Sequence, residues 1–184
     1  MKSDRSSHHV ASARALVAGV SIAILLFCGA AALIGEQGET AASTASSSAC
    51  VSGMKWTGGD SESPEMHPGG NCIECHASGE GPRFLVAGTV YRQLTEPNDC
   101  YGVEGAVVQL TDAKGRVKTM KTNRSGNFML RARGQSLAMP FTAQVKFNGQ
   151  SAEMATPQST GNCAACHTSQ GVNGAPGRII IPGG

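Results

Sequence analysis

The sequence predicts a mainly β protein, an antiparallel β-sandwich flanked by two loop-rich segments, and three observations carry that expectation. Between residues 83 and 150 apolar and polar side chains alternate with period two, as half-buried strands require. The chain is rich in turn formers, with Gly 24 and Pro 8, and its turn-forming clusters fall between the alternating runs. Most of the first flank is nearly devoid of apolar side chains. From Thr57 to Arg83 only Met66, Ile73 and Ala77 stand outside the prolines and two cysteines. Such a stretch cannot bury a core of its own.

At the N-terminus, Lys2, Arg5 and Arg14 precede an uncharged run of 21 residues, Ala15 to Gly35, dominated by Leu, Ile, Val and Ala. Residues 1–35 therefore read as an export signal. It is either cleaved near Gly29-Ala30-Ala31-Ala32 or retained as a membrane anchor. Cys28 lies inside this run behind Phe27, a residue too large for a lipoprotein signal. Residues 36–49, EQGETAASTASSSA, form a Ser/Ala-rich linker without apolar periodicity. The remainder divides into a first segment at 50–82, a strand block at 83–150 and a second segment at 151–184.

Within the strand block the expected strands are 84–91, 105–110, 116–120, 127–133 and 141–147. Asp112-Ala113-Lys114-Gly115 and Asn123-Arg124-Ser125-Gly126 separate them, and Asn148-Gly149 carries the signal of a type I′ hairpin turn. In the fourth run Phe128, Leu130 and Ala132 fall on one face and Met129, Arg131 and Arg133 on the other, so one face is expected to be buried.

The flanking segments share a hexapeptide. Asn71-Cys72-Ile73-Glu74-Cys75-His76 returns 91 residues later as Asn162-Cys163-Ala164-Ala165-Cys166-His167. The likeness extends outwards. Glu65-Met66 and Glu153-Met154 lie upstream, each near a proline, and Gly81-Pro82-Arg83-Phe84-Leu85-Val86 is echoed by Ala175-Pro176-Gly177-Arg178-Ile179-Ile180. The pattern is that of a duplicated unit interrupted by an insert. Two cysteines three apart with a histidine directly after them is the spacing that attaches a c-type haem covalently. Each thiol adds to a vinyl group, and the histidine becomes the proximal ligand of the iron. A four-cysteine zinc site does not account for the adjacent histidines, and a thioredoxin-like CxxC wants a βαβ context that neither segment supplies. Structural disulfides are the ordinary alternative for cysteines of an exported chain.

With these residues the chain resembles an exported dihaem c-type cytochrome. The resemblance implies two covalently bound c-type haems, attached through Cys72 and Cys75 and through Cys163 and Cys166, with His76 and His167 as proximal iron ligands. The insert resembles the transthyretin-like sandwich of carboxypeptidase regulatory-like domains, in the run AGTVYR … GVEGAVVQLTDAKGRVKTMKTNRSGNFML. That resemblance implies a scaffold rather than an enzyme. The porphyrins would supply the core that the flanks lack, with Trp56, Met54 and Ile73 as packing candidates.

Distal ligands are scarce, because His67 is the one histidine after the export segment that is not proximal. It is the first candidate sixth ligand, either for its own haem or for the other. Met154 follows for the second iron, with Met66 and Met139 behind it. Cys50 and Cys100 stand outside the motifs in an oxidising compartment, where they either pair or remain free thiols; a disulfide is expected. Residues 36–104 carry ten acids and three bases, whereas 105–184 carry two acids and nine bases. The basic stretch from Lys114 to Arg133 is either a solvated face or a docking surface for an acidic redox partner or for another copy, head to tail. Nothing in charge or aromatic content points to nucleic acid. The expected activity is electron transfer between redox partner proteins outside the cytoplasm, whether periplasmic, cell-surface or extracellular, by single chains or by haem-to-haem hopping along a head-to-tail polymer, with membrane contact only if the N-terminal segment is retained. Two alternatives stay open: a haem peroxidase or small-ligand sensor with one five-coordinate iron, and a structural β-sandwich interaction module.

Overall fold

The computed structural model describes residues 49–79 and 81–184. The export segment expected at 1–35 and all but the last residue of the linker expected at 36–49 lie outside the described residues. Among the described residues no helix is long and apolar enough to cross a membrane.

The fold is mainly β. Among the described residues seven strands, β1 (Phe84–Tyr91), β2 (Val107–Thr111), β3 (Val117–Lys121), β4 (Asn127–Arg131), β5 (Thr142–Phe147), β6 (Gln150–Glu153) and β7 (Ile179–Ile180), accompany one short α-helix, α1 (Cys72–Ala77). They form a three-stranded sheet in the order β4-β1-β7 and a four-stranded sheet in the order β3-β2-β5-β6. All pairings are antiparallel except that of β1 with β7. The sheets face each other across a shared core. Val86, Val90 and Phe128 enter it from one sheet and Val108, Leu110 and Val145 from the other. Each such side chain contributes roughly 1.5–3 kcal/mol on burial.

Five strands fall on the five alternating runs. The Asn148-Gly149 turn has φ 47° and 77°, the pair of positive values that a type I′ turn demands, and it joins β5 to β6. The sheets thus extend past residue 150 into the second segment. β6 is exposed along its whole length, and β7 adds the C-terminal Ile179 and Ile180 to the edge of β1.

The Asp112 turn shows how local polar chemistry fixes the β2–β3 hairpin. Asp112 is 4% exposed, and its carboxylate accepts from the backbone N–H groups of Lys114, Arg116 and Ala138 and from the Arg116 guanidinium at 2.7 and 2.8 Å. Burial works against the charge, but these donors outweigh it and hold the Asp112 carboxyl well below the usual carboxylate range.

Residues 50–82 contain α1, which buries no residue. As composition requires, the segment is pinned mainly by covalent and polar links. Cys50 and Cys100 form the expected disulfide, with Cα atoms 5.2 Å apart and a sequence separation of 50. Gly69 N–H donates to Thr89 Oγ1 at 2.8 Å, and Asn127 Nδ2 donates to the carbonyls of Met66 and Pro64 at 3.0 and 3.2 Å.

Candidate functional site

Both hexapeptides are seated against β1, which is buried from Val86 through Tyr91. The strand is covered on both sides because it serves the sandwich core and the two motifs together. Thr89 and Tyr91 meet the segment before the first motif. For the second, Ala87 N–H donates to Gly161 O at 3.1 Å, and Gly88 leaves room for Cys163. A Cβ at Gly88 would stand 2.9 Å from Cys163 Cβ and 2.9 Å from Phe128 Cζ, so the glycine is a condition of the close approach.

The motifs differ in backbone for a reason readable in their middle residues. In the first, Asn71 caps α1. Its Oδ1 accepts from Glu74 N–H at 3.3 Å while its Nδ2 donates to Glu74 Oε2 at 2.6 Å, an arrangement akin to a capping box. In the second, Ala165 replaces the glutamate, Asn162 makes no side-chain cap, and residues 163–165 form a single 3-10 turn. Positions three and four apart share a helical face, so Cys72, Cys75 and His76 line one side of α1.

The second motif opens onto a cavity of about 620 Å³ between the sheets, within the ~300–1,000 Å³ typical of cofactor pockets. Cys163, Cys166 and His167 lie on its wall with Val108, Leu110, Phe141 and Met154. His167 Nδ1 is 2.9 Å from the Gly177 carbonyl. As the donor, Nδ1 carries the proton, which leaves the Nε2 lone pair free to bind a metal. Burial pushes the Cys163 thiol up to about 12, and Cys72 adds to the effect. A thioether-bound haem requires two thiols, a free imidazole Nε2 and an apolar enclosure together, and the residues of the second site fit that requirement.

At the first motif, Cys75 is exposed and Cys72 half-buried. The His76 ring packs on Phe84 with centroids 4.6 Å apart, and its Nδ1 is buried without a partner among the described residues. The donor set is the same but the surroundings are more open.

The other candidates are placed as follows. Met154 lies on the cavity wall with His167, its N–H donating to Ala143 O at 2.8 Å. His67 is bound elsewhere. Its Nδ1 is 3.0 Å from Asp99 and its Nε2 3.2 Å from Asp60, and the hydrogen bond to Asp99, working against partial burial and aided by Asp60, raises its pKa. His67 and Asp99 both have left-handed backbones, with φ 42° and 66°, and His67 is not on the cavity wall. Service as a distal ligand would require it to give up a carboxylate. Trp56 lies edge-on to His67 at 6.5 Å, Met54 is 46% exposed, and Met139 is 41% exposed.

One residue that links the two motif regions escaped the sequence reading. Arg178, 3% exposed, donates from Nε to Glu96 O at 2.8 Å, from Nη1 to Gly69 O and His167 O at 3.2 and 3.3 Å, and from Nη2 to Asn98 Oδ1 at 2.5 Å. The signal was the repeat itself, in which Arg178 matches the exposed Arg83.

Comparison with known protein families, with curated proteins and with solved structures finds no match.

Proposed function

We propose that this chain is an exported dihaem c-type cytochrome that carries electrons between redox partner proteins. The observation that supports this most is the second motif, where two thiols, an imidazole with its Nε2 free and a methionine converge on one apolar cavity. When bound, haem supplies a one-electron iron couple. The protein's part is to hold and insulate it. Cys163 and Cys166 would hold the group by its thioether links, His167, oriented by the Gly177 carbonyl, would ligate the iron, Met154 is the candidate sixth ligand, and the apolar side chains of the wall would pack on the ring. Cys72, Cys75 and His76 would hold the other group, and the exposure of Cys75 would leave it open to a partner. The exposed bases Lys114 and Lys121, beside and on β3, offer a docking edge for an acidic redox partner or for the acidic segment of another copy.

The test is expression with a haem-attachment system on the export side. The purified chain is expected to retain two haems through acid-acetone extraction and denaturation, and to show the pyridine haemochrome of thioether attachment. Cys163→Ala with Cys166→Ala should leave one. Met154→Ala should abolish the sulfur-to-iron charge-transfer band in the near infrared. A colourless protein after extraction would end the reading.

A further inference from the structure

Arg178 is a buried cation whose contacts are all neutral. Its donors go to three backbone carbonyls and one side-chain amide, and its guanidinium carbon lies 5.3 Å from the Tyr91 ring centroid. Among the described residues no carboxylate comes within salt-bridge distance of it. The acid that acts on it is the buried Glu96, yet Nε takes the Glu96 carbonyl, and the Glu96 carboxylate accepts from Val51 N–H instead. Two of the carbonyls belong to the two motif regions. Gly69 lies three residues before Cys72, and His167 is the second proximal histidine. Arg178 also lines the large cavity, and it directly follows Gly177, whose carbonyl orients the His167 ring.

We propose that Arg178 is a positioning residue common to both centres: its fork ties the two motif backbones together, and its buried positive charge holds both reduction potentials up. This rests on the dihaem reading. A cation in a poorly screened interior lowers the energy of an added electron, and its effect falls with distance and solvent exposure. The cavity centre therefore feels it more than the surface centre. Gln at this position removes the charge, whereas Lys keeps it but cannot reach all four acceptors. Asp at position 98 sets a carboxylate against Nη2 and offsets the charge while leaving Arg178 in place.

The experiment is a potentiometric titration of the cofactor-loaded full-length protein with Arg178→Gln, Arg178→Lys and Asn98→Asp, each checked for two covalent haems. Arg178→Gln is expected to lower both midpoint potentials, the cavity centre by more. Arg178→Lys should stay near the unsubstituted protein, and Asn98→Asp should move in the direction of Gln by a smaller step. Equal shifts in Gln and Lys would mean that shape rather than charge matters and would overturn the proposal, as would unchanged potentials in Gln. If Arg178→Gln does not accumulate, Asn98→Asp decides alone, and potentials that stay put or rise overturn it. Loss of haem from the unsubstituted protein on acid-acetone extraction would instead strike the dihaem reading. Covalent haem with unmoved potentials strikes only the role of Arg178.

Discussion

His76 and His167 occupy the same place in their motifs, yet their Nδ1 atoms meet different surroundings. One is buried without a partner among the described residues, and the other faces the Gly177 carbonyl. The spacing that made both histidines visible in the sequence says nothing about this, because the partner of His167 is ten residues away in a Gly/Pro loop. Asp112 is the contrary case, a residue whose role was legible at short range. Asp-x-x-Gly announced a turn, and the carboxylate indeed collects the N–H groups of its own turn. Its consequence is a pH dependence. The folded pKa is depressed, so the stability it contributes is fully present above the unfolded value near ~4 and is lost as pH falls below that towards the lower folded value. Asp112→Asn should lower stability at neutral pH and flatten the loss of stability below about pH 4, as followed by circular dichroism across an acid titration.

At the scale of elements, β1 is the piece on which both motifs depend. Gly88→Val should drive a branched side chain into Cys163 and Phe128, costing about 1–3 kcal/mol as overpacking does. Haem retention at the second motif should fall while the first is kept, measured as haem per chain after denaturation. Alternation and turn residues revealed β1 to β5 because their signals are local. β6 and β7 were harder. Asn148-Gly149 promised a partner strand, but Gln150-Ser151-Ala152-Glu153 is exposed throughout and has no apolar face to betray it. The echo of Arg83-Phe84-Leu85 in Arg178-Ile179-Ile180 was noticed as sequence likeness. In the fold it means that each motif is followed by a strand of the same sheet, and two such units laid side by side pair in parallel.

For the molecule as a whole, the sequence suggested a sandwich with its own core and two segments waiting for a cofactor. The structure joins these, because Val108, Leu110, Phe128 and Val145 belong both to the sandwich core and to the wall of the large cavity. The space between two sheets depends on how far apart they stand, which no single strand encodes. Filling that space should therefore stabilise the sandwich itself. Amide exchange in β2 and β5 should slow by about tenfold or more on haem attachment, and equal rates with and without haem would contradict a shared core. The disulfide acts on a different axis. Cys50 lies at the start of the first segment, so tension applied through the preceding residues crosses the sulfur bridge to Cys100 and goes on to β2, leaving residues 51–99 slack. That bypassed loop contains the first motif and β1. In a stretching experiment from the two ends, the oxidised chain should reach an extension shorter than the reduced one by about 170 Å, the contour of the chain between two cysteines separated by 50 in sequence. A pull applied ahead of Cys50 is thus carried past the strand that seats both motifs, which stays unloaded while the sulfur bridge is intact.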